Sequence, residues 1–147
     1  MPSLRDRLGA EQVAARKAQD KPLTLLLGTI LSEIKNRDIE LGRTPTDDEV
    51  VEVLRKGVKK RRESIALYTK AGRTELAMQE TAEVAALERF LPAAVSDDEI
   101  RAEIRAIIAA GASGIGPVMG QAMSRFKGRA EGGTINRIVR EELGKPE

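Results

Sequence analysis

Apolar residues recur at three- and four-residue spacing along almost the whole chain, and no segment alternates with period two over the length of a strand. That spacing puts apolar side chains on one face of an α-helix. The side-chain inventory points the same way. Aromatic residues make up only 2% of the chain (Tyr68, Phe90 and Phe126), so the core has to be built from Leu, Ile, Val, Ala and Met. Ala, Leu, Glu, Lys and Arg favour helices, whereas strand-rich domains spend more aromatics and Thr. The expected fold class is all-α.

Helix punctuation is dense. Ser3 suits the N-cap of a first helix reaching about Gln19, with Leu4 and Leu8 one turn apart. Asp20-Lys21-Pro22 reads as a second N-cap with proline in the first turn, followed by Leu23, Leu26, Leu27, Ile30, Leu31 and Ile34. Gly42 is placed to end that helix in a left-handed C-cap. Thr46 and Glu49 have capping-box spacing and open a long helix to about Ala71-Gly72, striped by Val50, Val53, Leu54, Val58, Ile65 and Tyr68. A fourth helix is predicted from Thr74 to Leu91, with Leu76, Val84, Leu87 and Leu91 inward.

Pro92 stops it, because the pyrrolidine ring clashes with helix continuation. Ser96 and Glu99 have the spacing of a second capping box, opening a helix that carries Ile100, Ile104, Ile107 and Ile108 to Gly111. Pro117 can open a sixth helix with Val118, Met119, Ala122, Met123 and Phe126 on one face. Gly132-Gly133-Thr134 leads into a last helix carrying Ile135, Ile138, Val139 and Leu143. The expected organisation is an N-terminal four-helix domain over 1–92 and a small three-helix C-terminal domain over 95–147. The second is small for independent stability.

The chain has no Cys and no His. Disulfides, thiolate or imidazole zinc sites, and Ser–His or Cys–His catalysis are therefore excluded. No apolar run approaches the roughly 20 residues that span a bilayer. Residues Met1 to Arg7 carry charges and no apolar leader, so the expected location is cytoplasmic, with no membrane partner. The carboxylate pairs Asp47/Asp48 and Asp97/Asp98 stand at helix starts, where the dipole accounts for them, and Glu141/Glu142 reads as solvated surface. No partner base or metal set accompanies any of these, so no catalytic residue, metal or cofactor is expected. Met119 and Met123, beside Phe126, read as core.

Net charge is only +2, but the charge is clustered. Arg55, Lys56, Lys59, Lys60, Arg61 and Arg62 form one run, with Arg55, Lys59 and Arg62 on a single helix face. A phosphate-facing stripe is one reading; a solvated face whose long stems cover apolar surface is the plainer one. The second cluster lies between Arg125 and Arg140, where Arg125, Lys127, Arg129, Arg137 and Arg140 face Glu131 alone among the acids. Here Gly128, Gly132 and Gly133 permit close approach of a ligand, and the next helix offers unpaired N–H groups and positive dipole. That describes a phosphate clasp. A glycine C-cap followed by an N-cap at Thr134 describes the same residues equally well. The glycine spacing matches neither the P-loop nor the dinucleotide fingerprint.

Several segments together carry a family resemblance. They are Lys56-Gly57-Val58-Lys59-Lys60-Arg61-Arg62-Glu63-Ser64, Ala71-Gly72-Arg73, Leu87-Glu88-Arg89-Phe90-Leu91-Pro92, Gly116-Pro117-Val118-Met119, Lys127-Gly128-Arg129-Ala130-Glu131-Gly132 and Ile138-Val139-Arg140-Glu141-Glu142-Leu143. In their order and spacing the chain resembles the YqeY family over nearly its whole length. That family is related to the C-terminal tail of the GatB subunit of glutamyl/aspartyl-tRNA amidotransferase. Two positions depart from the family pattern: Glu131, where Asp is frequent, and Ala93, where Glu is frequent.

The resemblance implies an all-α fold with a helical N-terminal domain and a three-helix C-terminal domain; in the amidotransferase the corresponding helical tail contributes to tRNA recognition. It also associates the chain with carbon–nitrogen ligases that use glutamine as amide donor. This chain lacks the catalytic body of GatB, so the expectation is an accessory module without its own catalytic site. The partners implied are tRNA, bound through phosphates, and an amidotransferase or aminoacyl-tRNA synthetase. Candidate RNA-binding residues are Lys127, Gly128, Arg129, Gly132, Gly133, Arg137 and Arg140, with Lys59 and Arg62 on the first basic run. The alternative is a helical protein–protein interaction module with no nucleic-acid role.

Overall fold

Polar side chains cap the starts of four helices in the computed structural model, which describes residues 1–93, 95–127 and 129–144. Ser3 accepts from the Asp6 N–H at 3.0 Å and Asp6 returns to the Ser3 N–H, opening α1 (Leu4–Lys17). Asp20 accepts from Leu23 N–H at 3.1 Å and starts α2 (Lys21–Leu41), which Gly42 closes at φ 69°. The Thr46/Glu49 capping box starts α3 (Asp47–Lys70). Then come α4 (Thr74–Glu88), α5 (Asp97–Ala109), α6 (Ile115–Arg125) and α7 (Gly132–Leu143). The described residues hold these seven helices and no strand.

Several ends differ from the periodicity-based expectation, each for a local reason. The first helix stops at Lys17, and Gln19 takes φ 60° to turn the chain into Asp20. The fourth stops at Glu88, short of Leu91. A residue before proline avoids the helical region, and the chain tightens first: Phe90 N–H bonds Leu87 O and Leu91 N–H bonds Glu88 O, both at 3.1 Å. Ser96 caps α5 by accepting from Glu99 N–H at 3.1 Å, but the reciprocal bond from Glu99 does not form. Pro117 is the third residue of α6, not the first, and α7 begins at Gly132 with Glu131, not Thr134, as its N-cap.

Contacts divide the chain into two compact units, Met1–Leu91 and Pro92–Glu147. In the first, α1 packs mainly on α2 and α3 mainly on α4. Their shared core includes Leu8, Leu27, Ile30, Ile34, Leu54 and Leu87, all fully buried. Gly57 lets α3 approach: a methyl group there would lie 3.4 Å from Ile30 Cδ1 and 3.7 Å from Leu87 Cδ1. Leu76, expected inward, is 37% exposed, and Ala77 is buried in its place.

The second unit buries Ile100, Ile104 and Ile107 of α5 against Val118 and Ala122 of α6, Phe126, and Ile135, Ile138 and Val139 of α7. Truncating such a buried Ile to Ala costs ~2–5 kcal/mol, so Ile104→Ala tests whether this core holds the unit together. Met119 is partly buried there, whereas Met123, expected in the core, is 43% exposed. Glu142 corrects the expectation of a solvated Glu141/Glu142 pair: its side chain is only 5% exposed, between Arg101 at 2.8 Å and Arg105 at 3.1 Å. No helix among the described residues is long and apolar enough to cross a membrane.

Candidate nucleic-acid interface

The turn between α6 and α7 carries the second basic cluster. Phe126 ends α6 and is buried, which anchors the turn in the core. Its carbonyl accepts from Arg129 N–H at 2.8 Å and Ala130 N–H at 3.2 Å, so the chain folds back at once. The Arg129 guanidinium stays exposed and lies 5.8 Å from the Phe126 ring centroid, within cation–π range. Lys127 is exposed beside it. Gly128 lies outside the described residues.

Gly132 and Gly133 form the first two positions of α7, and no side chain caps them. The opening N–H groups of a helix have no intrahelical acceptor, so here they face outward together with the positive end of the helix dipole. Glu131 at the N-cap is one methylene longer than the residues that cap well, which accounts for the missing bond. Its exposed carboxylate also places one negative charge at this otherwise positive end. A methyl group on Gly133 would meet nothing within 4 Å, whereas one on Gly132 would lie 3.4 Å from Met123 Cε.

Five basic side chains in the cluster do not make five free charges. Arg125 is paired with Glu103 of α5. Arg137 reaches Asp97 at 2.7 Å and Glu141 at 2.9 Å, and these bonds, Asp97 first, hold its pKa above the ordinary arginine value. Glu141 is in turn lowered by its bonds to Arg101 and Arg137. Lys127, Arg129 and Arg140 have no carboxylate partner among the described residues; Arg140 Nε bonds the neutral Asn136 Oδ1 at 2.9 Å. Gly133, Arg137 and Arg140 share one face of α7 by their i, i+4, i+7 spacing. The turn thus brings together Lys127, Arg129, Gly132 and Gly133, with Arg140 two turns further along.

The first basic run belongs to the other unit. Its members divide in the same way. Arg61 is a packing residue, 15% exposed, bonded to Glu83 at 3.2 Å and to Gly57 O at 3.1 Å. Arg62 pairs with Glu88. Lys59 is exposed and has no carboxylate partner among the described residues. Apart from Arg137–Glu141, which has i, i+4 spacing within α7, periodicity gives no warning of these pairs, because the acids lie on neighbouring helices 22 to 40 residues away along the chain. Among the described residues no group of three or more acidic side chains is arranged to hold a metal ion.

Residues 5–143 match the model of a family described as Yqey-like protein. An uncharacterized protein of Schizosaccharomyces pombe is 32% identical over 92 residues, covering 63% of this chain and 75% of that protein.

Proposed function

The chain belongs to the Yqey-like protein family, and from that premise we propose that it is a tRNA-binding accessory module, linked to tRNA-dependent amidotransferase systems and without a catalytic site of its own. The observation that carries this reading is the α6–α7 turn. Three cations have no carboxylate partner among the described residues: Lys127 and Arg129 stand in the turn before an uncapped helix start built from two glycines, and Arg140 lies two turns along the same helix. Fixed N–H donors, a helix dipole and flexible cations suit a phosphate backbone. Structured RNA is recognised largely through shape and backbone, which suits a surface almost without aromatic residues.

Within this reading the side chains have different tasks. Lys127, Arg129 and Arg140 contact phosphates, and Gly132 and Gly133 let the strand approach the helix start. Arg137 fixes α7 against α5 and contributes to the field. Lys59 and Arg62 form a weaker second contact area, since Arg62 already has Glu88. The two compact units serve as separate domains, with RNA contacts concentrated in the C-terminal one. The test is an anisotropy titration of labelled tRNA with the wild type and Arg129→Glu. The reading expects affinity to fall roughly tenfold or more, as for loss of a phosphate contact plus added repulsion. Equal affinities would remove the assignment.

A further inference from the structure

On α7, Asn136 stands between the glycine start and Arg140. Gly132, Asn136 and Arg140 follow one another at i, i+4 and i+8, so they form one strip of the helix. At 1.5 Å per residue the strip is about 12 Å long. Two methionines of α6, one turn apart, lie alongside it. Met119 Sδ is 3.9 Å from Asn136 Nδ2. Met123 reaches to Gly132, where an added methyl group would lie 3.4 Å from its Cε and 3.8 Å from its Sδ. Because Met123 is 43% exposed, an apolar ledge borders the strip.

The Asn136 carboxamide has a fixed direction and unspent bonding capacity. Arg140 Nε, 2.9 Å away, can only donate, so Oδ1 has to face it. The NH2 group is thereby turned to Met119, whose thioether is a weak acceptor. Oδ1 keeps a second lone pair and Nδ2 a second N–H. This half-buried side chain thus offers an acceptor and a donor side by side. The edge of a nucleobase complements that pair, and its flat apolar face suits the methionine ledge. A phosphate offers no donor to Oδ1 and gains nothing from Met123. A base within a duplex is no better, because its pairing edge is spent and its faces are stacked.

We propose that Asn136, with Met123 as its apolar ledge, holds one unpaired base of the bound RNA, so that this surface takes single-stranded or loop segments in preference to duplex. The inference rests on the RNA-binding reading above and adds a base contact between its phosphate contacts.

A short fluorescent single-stranded RNA and the same backbone with abasic sites carry equal phosphates, and both are titrated against the full chain. The wild type is expected to bind the base-bearing strand roughly tenfold more tightly, the scale of one bidentate base contact. Asn136→Asp keeps the acceptor for Arg140 and removes the donor; Met123→Ser trims the ledge at an exposed position. Each should cut the ratio of the two affinities severalfold with Tm unchanged. Arg129→Glu should lower both affinities and leave the ratio. Equal wild-type affinities for the two strands, or a ratio that survives Asn136→Asp, would overturn the base contact and leave the phosphate reading intact. Binding of neither strand would remove both. A ratio that falls only in variants with lowered Tm would make Asn136 a strut between α6 and α7 instead.

Discussion

Arg137 Nη2 lies 2.7 Å from Asp97 Oδ2, joining α7 to the first turn of α5 across 40 residues of sequence. A side chain that reads as a phosphate ligand in the sequence is thus committed to holding its own unit together. Arg137→Ala is expected to lower the Tm of the protein and to weaken tRNA binding less than Arg129→Ala does. A double-mutant cycle with Asp97→Asn should show coupling in stability. A loss of RNA affinity as large as that of Arg129→Ala, with unchanged Tm, would instead make Arg137 a direct contact.

Glu49 gives the clearest pH dependence. Arg43 grips it with two bonds, 2.7 and 3.1 Å, and the Thr46 N–H donates at 3.0 Å, so its carboxyl is lowered from 4.5 to about 2. A carboxyl depressed in the folded state contributes its stability in full above the unfolded value and loses it as pH falls through the folded value. The loss therefore spans pH 4.5 down to about 2. Denaturant unfolding across that window should show a smaller pH dependence for Glu49→Gln than for the wild type. Parallel curves would contradict the role given to this pair.

Gly133 separates stability from binding. It sits in a helix, and a methyl group there would touch nothing within 4 Å. Gly133→Ala should stabilise by ~0.4–1 kcal/mol through the lost entropy of the unfolded chain. If the glycine serves close approach of a strand, the same change weakens tRNA binding. Calorimetry and anisotropy on one sample decide it: higher Tm with unchanged affinity would leave Gly133 no part in the interface.

The N-cap of α7 offers a gain. Glu131 makes no capping bond, and a shorter carboxylate reaches the helix N–H groups better. Glu131→Asp is expected to stabilise the protein by ~0.5–1 kcal/mol, read as a rise in Tm. Glu131→Gln removes the one acid at this end of the helix and should tighten tRNA binding at low salt.

Much of the fold is legible in the sequence because its signals are local. Ser3, Asp20, Gly42 and Thr46 act within four residues of themselves, and each performs the cap its position predicts. The apolar spacing likewise finds Ile100, Ile104 and Ile107 on one buried face. What escapes sequence reading is tertiary. Periodicity assigns Leu76 and Met123 inward, yet where neighbouring helices stop covering them they are 37% and 43% exposed. Charge counting treats Arg125, Arg61 and Arg137 as available, because Glu103, Glu83 and Asp97 are brought to them only by helix packing.

The central claim concerns which charges are free, and the salt dependence of tRNA binding tests it most directly. Total tRNA is titrated over a range of salt against the wild type and the triple variant Lys127→Ala, Arg129→Ala, Arg140→Ala, with duplex DNA as control. Each phosphate contact contributes about 0.7 to 0.9 to the slope of log affinity against log salt. Three lost contacts should flatten the slope by about 2 to 3 and leave wild-type binding to tRNA tighter than to duplex DNA. No wild-type binding at low salt, or equal slopes for the two proteins, would contradict the account.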